Sequence, residues 1–254
     1  MNINNFFNID ERLMQLDEKI LAEISPRFKE TDDITEYNQL KMLSAFIKNG
    51  VTESAFAGST GYGYDDRGRE ILERVMADAM GAEDSLIRHN FVSGTHTLTV
   101  ALFGLLRPGD KVLVLTGRPY DTITGVFGID EKTDGSLADF GVEYHEIALL
   151  PDGTPDKAAI KKELAANTYK MAYIQRSRGY STRPSLTIEK IRELCDIVRE
   201  VSPKSIIMVD NCYGEFTEKQ EPCEVGADII AGSLIKNPGG GIAPTGGYIA
   251  GRHE

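Results

Sequence analysis

The chain has 254 residues, 41% hydrophobic and 26% charged, the composition of an ordinary globular protein with room for one large α/β domain and a small extension. Its formal net charge of −11 argues against a nucleic-acid partner, because phosphate binding wants Lys and Arg in excess and no basic block offsets the acidic balance. No apolar run is long enough to span a bilayer, the N-terminal MNINNFFNID lacks the basic start of a secretory signal, and Cys195, Cys212 and Cys223 form neither a disulfide framework nor metal-ligand spacing. The expectation is a reduced, soluble, cytoplasmic protein with no membrane contact.

Residues 10–48 carry Leu13, Leu16, Ile20 and Ile24, then Leu40, Leu43, Phe46 and Ile47, at helical spacing, which predicts two helices broken near SPRF. They make up an N-terminal helical extension, 1–50, ahead of a large domain, 51–254. Residues 54–68, SAFAGSTGYGYDDRG, are rich in glycine and small residues and predict a loop. REILERVMADAMG follows as an amphipathic helix with Gly81 as its C-cap. From there strands and helices alternate. DSLIRHNFV leads into a helix, GTHTLTVALFGLL, that RPGD ends. KVLVLTG, VEYHEIAL and YKMAYIQ are strands, TIEKIRELCDIVREV is a helix, and SIIMVDN, ADIIAGSLI and GGYIAG are the last strands. The alternation predicts parallel pairing with crossovers, and runs such as IIMV and VLVL, apolar on both faces, suit central strands covered by helices. The fold class is α/β, with three layers, α/β/α, around a mostly parallel sheet.

In open parallel sheets ligands bind at the carboxyl ends of the strands, and three unusual residue groups fall at such ends. Ser93, Gly94 and Thr95 in VSGTHT offer hydroxyls and backbone N–H groups at a helix N-terminus, where the dipole favours an anion. The same residues would serve equally as an ordinary N-cap. Asp210, ending the apolar SIIMVD, needs a cationic or hydrogen-bonding partner, which a structural salt bridge or a protonated ring nitrogen on a ligand would provide. Lys236 stands where an apolar run gives way to NPGGG, with Ser233 shortly before it. In a desolvated pocket such a lysine is an amine nucleophile toward carbonyls; at a solvated strand end it is a surface residue. An anion cup, a carboxylate for a pyridinium and a Schiff-base lysine, in that order along one α/β chain, together describe a pyridoxal phosphate site. His96 reads as a first-turn helix residue, and Cys212 as facing away from Asp210.

GYGYDDRGRE, FVSGTHT, GRPYDT, IQRSRGYS, VDNCYGEF and GSLIKNPGGGIAPTGGYIAG resemble the methionine gamma-lyase-like proteins often labelled aluminium resistance proteins. That family has the aspartate-aminotransferase-like fold and is related to the Cys/Met metabolism enzymes; the resemblance runs from about residue 10 to the end. It implies a pyridoxal phosphate-dependent carbon–sulfur lyase acting on a sulfur-containing amino acid. Lys236 would be the Schiff-base lysine, Asp210 would face the pyridine nitrogen, Gly94, Thr95 and Ser233 would bind the phosphate, and Tyr120 would stack on the ring. Gln175, Arg176 and Ser177 follow a strand and so face the same site. Tyr64 and Arg67 match loosely a tyrosine and an arginine that related lyases send to the neighbouring subunit's phosphate, which implies a homodimer or homotetramer. Two departures stand out. Ile235 occupies the place of a threonine that usually precedes the lysine, and the chain stops at Glu254 where relatives continue into a C-terminal domain carrying the arginine for the substrate carboxylate. A fragment or truncated product is therefore expected. The alternatives are a non-catalytic protein that binds pyridoxal phosphate or only dimerises, and another pyridoxal phosphate reaction such as transamination or desulfuration.

Overall fold

The structure is a computed structural model and describes residues 6–60, 62, 66–130 and 133–254. Strands β1 (Asp84–Arg88), β2 (Lys111–Val114), β3 (Glu143–Glu146), β4 (Met171–Gln175), β5 (Ile206–Asp210), β6 (Ile229–Ser233) and β7 (Gly247–Gly251) form one sheet in the order β1-β7-β6-β5-β4-β2-β3. The pairs from β3 through β6 are parallel, while β7 runs antiparallel to both β1 and β6. The sheet is mostly parallel, as expected, with β7 the antiparallel member. The β6–β7 connection, residues 234–246, holds only a single 3-10 turn at Asn237–Gly239. A parallel return needs a crossover, usually a helix, and without one the chain folds back beside β6.

Helices α3 (Gly94–Leu105) and α4 (Asp121–Phe127) cover one face of the sheet; α2 (Arg67–Met80), α5 (Lys157–Ala166) and α6 (Ile188–Val201) cover the other. The three expected layers are present. Side chains alternate along each strand, so Ile207 and Val209 of β5 join Ile191, Leu194 and Val198 of α6 in one core. Met208 joins Tyr173, Leu98 and Phe127 in the other. Burying each such aliphatic side chain is worth about 1.5–3 kcal/mol, and α6, with its apolar face fully packed, is anchored mainly this way. Side chains also set the helix ends. Asp66 accepts from Arg69 N, Asp156 from Ala159 N and Thr187 from Lys190 N, while Gly81, at φ +62°, closes α2 as a left-handed C-cap.

The N-terminal segment departs from the two expected helices. One helix, α1 (Glu11–Lys48), runs through Pro26 without a break. Proline removes one intrahelical hydrogen bond, but residues 20–33 are exposed, so water can take the carbonyl of Ala22 that the missing N–H leaves free. No described helix is long and apolar enough to cross a membrane.

At the strand ends the layers approach through glycine. A Cβ on Gly247 would collide with Thr97 Oγ1 and lie 3.0 Å from Gly232 O, so α3 sits directly on the β6–β7 edge. Thr97 cannot yield easily, since it is fully buried and donates to Ser93 O at 2.8 Å. Gly247→Ala is expected to cost about 1–3 kcal/mol through overpacking, read as a lower urea midpoint. An unchanged midpoint would show that helix and sheet separate without strain.

Candidate active site

The carboxyl ends of β4, β5 and β6 open onto a cavity of about 240 Å³. The start of α3 forms one wall. Ser93 is its N-cap: Oγ accepts from His96 N at 3.1 Å and the Ser93 carbonyl from Thr97 N at 3.0 Å. The Gly94 and Thr95 N–H groups precede those bonds and have no intrahelical acceptor. Thr95 Oγ1 lies 2.7 Å from Thr122 Oγ1, in the first turn of α4, so two helices bring two hydroxyls to one spot. Thr122 was not among the expected residues, although it ends the GRPYDT motif. A Cβ on Gly94 would stand 3.1 Å from Cys212 Sγ and 3.2 Å from Ser233 Cβ, so only glycine lets the helix start come this close.

Asp210 ends β5 on the α3 face, lines the cavity and is buried. Its Oδ1 accepts from Cys212 N at 3.1 Å. Burial pushes its carboxyl up, opposed by the Cys212 hydrogen bonds and the Lys236 charge. The Tyr173 hydroxyl, fully buried in the same layer, also opposes that rise, though it makes no close hydrogen bond among the described residues. Lys236 lines the cavity after β6, with Nζ 3.9 Å above the centroid of the Tyr213 ring. Cys212 also lines the cavity, which corrects the expectation that it faces away. It stands two residues past Asp210, in the turn after β5, where strand alternation no longer sets which way a side chain faces. Burial and the Asp210 charge push its thiol well up, so it is no thiolate.

Tyr120 walls the cavity from the N-terminus of α4. Its backbone N–H donates to Gln175 Oε1 at 2.6 Å, and Gln175 Nε2 donates to the Ser177 carbonyl at 3.0 Å. Gln175 is thus buried behind the cavity and braces two residues, Tyr120 and Ser177, that do line it. The Tyr120 ring lies 5.3 Å from that of Tyr180, and the contact with the Tyr180 hydroxyl pushes Tyr120 up to about 12.

Ser233 and Arg176 do not line the cavity. Ser233 is fully buried and its Oγ accepts from Ile235 N at 3.3 Å, inside the turn that carries the lysine. Arg176 points away from the cavity: Nη1 donates to Asn211 Oδ1 at 2.9 Å and Nη2 to Glu218 Oε1 at 2.8 Å. Arg67, expected at the neighbouring subunit's phosphate, is exposed at the start of α2. Tyr64 lies outside the described residues. His96 is a first-turn helix residue whose Nδ1 accepts from Val92 N at 3.2 Å.

Comparison with known proteins places this arrangement in context. The family model for methionine gamma-lyase matches residues 13–254. The Bacillus subtilis protein YnbB is 47% identical over 235 residues, covering 92% of this chain and 56% of that protein. A solved Listeria monocytogenes structure, named provisionally as a cystathionine beta-lyase involved in aluminum resistance, is 52% identical with a TM-score of 0.91, covering 94% of this chain and 59% of that one. A Clostridium novyi structure, a carbon-sulfur lyase involved in aluminum resistance, is 47% identical with a TM-score of 0.92, covering 99% and 60%. The chain therefore spans less than two-thirds of the length of these relatives.

Behind the cavity, Glu215 is buried, with Oε1 accepting from Tyr248 Oη at 3.0 Å and Oε2 unpartnered. Burial pushes its carboxyl up to about 8. The folded state thus holds a proton that the unfolded chain releases above about pH 4.5, so stability falls as pH rises from there to about 8 and then levels. Glu215→Gln should remove this slope, gaining on the order of a few kcal/mol over the native chain between pH 5 and 8. Parallel urea-midpoint profiles for the two proteins would contradict the assignment.

Proposed function

Since this chain belongs to the methionine gamma-lyase family, we propose that its cavity is the pyridoxal phosphate site of a carbon–sulfur lyase acting on a sulfur-containing amino acid. The convergence of Lys236, Asp210 and the α3 start on one cavity carries this reading. The residues present fit the cofactor. The Thr95 and Thr122 hydroxyls and the Gly94 and Thr95 N–H groups suit a phosphate. Buried Asp210 suits a protonated ring nitrogen, Lys236 offers an amine, and Tyr120 offers an aromatic wall.

Bound there, pyridoxal phosphate supplies a carbonyl that bonds amines and a ring that withdraws electrons from the amino acid's α-carbon. The chain's own groups do the rest. Asp210, buried in a dry site, would hold the ring nitrogen and keep a proton on it. Lys236 Nζ takes and returns protons once its amine is free. Thr95 and Thr122 hold the anion and so fix how far the ligand enters. Gln175 holds Tyr120 by its backbone, which keeps the aromatic wall upright. Ile235 offers no hydroxyl, and Thr122, whose Oγ1 lies 2.7 Å from Thr95 Oγ1, would supply one.

The test is the absorption spectrum of the purified chain with pyridoxal phosphate, followed by borohydride and peptide mapping. A Schiff-base band fixed onto Lys236 is expected; no band, or label on other lysines only, would overturn the reading. Lys236→Ala should abolish the fixed label. Thr95→Ala with Thr122→Ala should raise the dissociation constant for the cofactor at least about tenfold, the effect of losing one hydrogen bond to a charged group.

A further inference from the structure

Tyr213 was not singled out by its sequence position, yet it has two unusual features. Its backbone lies at φ +68°, a region that bulky residues rarely adopt. Its ring face carries the Lys236 ammonium at 3.9 Å from the centroid. Positive φ outside glycine persists only where the surroundings over-determine it, and here they do. Asn237 Nδ2 donates to the Tyr213 carbonyl at 3.2 Å and to the Glu215 carbonyl at 3.0 Å. Gly214 N donates to Asn211 O at 2.8 Å, and a Cβ on Gly214 would collide with the buried Arg176 side chain. The turn has no slack, and the residue that clamps it is the immediate neighbour of the lysine. Ring and amine are therefore positioned by one tether.

We infer that Tyr213 is a positioning residue for Lys236: its ring is the platform on which the lysine rests as an ammonium whenever the amine is not covalently engaged. A π face attracts a cation set over it, so the platform parks the lysine at the cavity wall and holds its amine against the ring. This deepens the role proposed for Lys236. The contact itself belongs to the chain alone and is testable without any cofactor.

The experiment is trace acylation of the cofactor-free chain with acetic anhydride, read by peptide mapping with surface lysines as internal references. Tyr213→Leu is expected to raise the acylation rate of Lys236 relative to those references, by about 2-fold at the exposed limit of cation–π contacts and about 30-fold at the desolvated limit. Tyr213→Phe, which keeps the ring face, should match the native chain. Tyr213→Gly relieves the strained backbone while removing the ring, so it should be at least as stable as the native chain and as reactive at Lys236 as the leucine variant; it carries the test if leucine fails to fold. An unchanged Lys236 rate in the leucine and glycine variants, or a phenylalanine variant as reactive as leucine, would overturn the inference. Neither result bears on whether borohydride fixes the cofactor to Lys236, so failure here and failure of the cofactor reading are distinguishable.

Discussion

A guanidinium shut away from water must be neutralised inside the fold, and Arg176, almost fully buried just past β4, imposes that requirement on everything behind the cavity. Its Nη1 bonds Asn211 and lies 3.6 Å from Glu221; its Nη2 bonds Glu218. Those partners bring their own attachments. Glu218 Oε1 also accepts Ile188 N, fixing the start of α6, and Asn38 of α1 donates to the Phe216 and Glu218 carbonyls at 3.1 and 3.0 Å. One buried charge thus gathers β4, the turn after β5, α6 and α1, which also packs on α2 through Ala45. Removing one member of such a buried pair typically costs about 3–5 kcal/mol, because the other charge is left uncompensated.

The same network explains the protonation pattern around it. Arg176 sets one positive charge against Glu218 and Glu221, and at Glu221 it and the Phe216 N–H oppose the upward push of burial. Glu215 has no cation beside it, only the Tyr248 hydroxyl, so burial leaves it neutral around pH 7. Asn211 bridges the two halves, accepting from Arg176 and donating to Glu221 at 3.1 Å and to Tyr248 at 3.2 Å. Because Asn211 directly follows Asp210, the network sets where β5 ends and where the strained turn begins. Tyr213 and Phe216 both adopt positive φ within that turn, and Glu221 Oε1 accepts Phe216 N at 2.8 Å to hold the second of them. A rigid turn of this kind keeps cavity side chains in place without needing a ligand to order them.

How much of this was legible follows from what kind of signal each feature leaves. The layers and most strands were readable because doubly buried strands leave long apolar runs such as VLVL and IIMV, and α6 leaves a clean helical period. Helix α4, at Asp121–Phe127, is too short to show a period, and α5, KAAIKKELAA, buries only Ile160 and Leu164, so neither was anticipated. Pro26 suggested a break that an exposed helix does not need. The antiparallel entry of β7 depends on the length of a connection, not on the strand's composition. At the site, Asp210, Lys236 and the α3 start were visible because each breaks a local pattern at a strand end. Arg176 was misplaced because sequence shows which strand end a residue follows but not which way its side chain turns. Tyr213 and Thr122 were missed because a backbone dihedral and a contact between two helices leave no mark in the chain.

The charges left over in the cavity define what it can accept. Asp210 is buried beside neutral groups, Cys212 and Tyr173, and the Lys236 ammonium is engaged on the Tyr213 ring rather than bonded to the carboxylate. Arg183, also buried, donates only to backbone carbonyls of Gln175, Ser177 and Pro184. A carboxyl so placed resists ionisation until something brings a positive charge or a strong donor to it, and no group of the cavity wall does so fully. At the α3 start the situation is reversed: N–H groups and hydroxyls converge on the cavity, where Asp210 is the one acid among the described lining residues. A ligand that is anionic at one end and carries a protonable nitrogen at the other relieves both imbalances at once. One that lacks either end leaves a buried polar group unpaired, so the cavity discriminates by the cost of what it leaves unsatisfied.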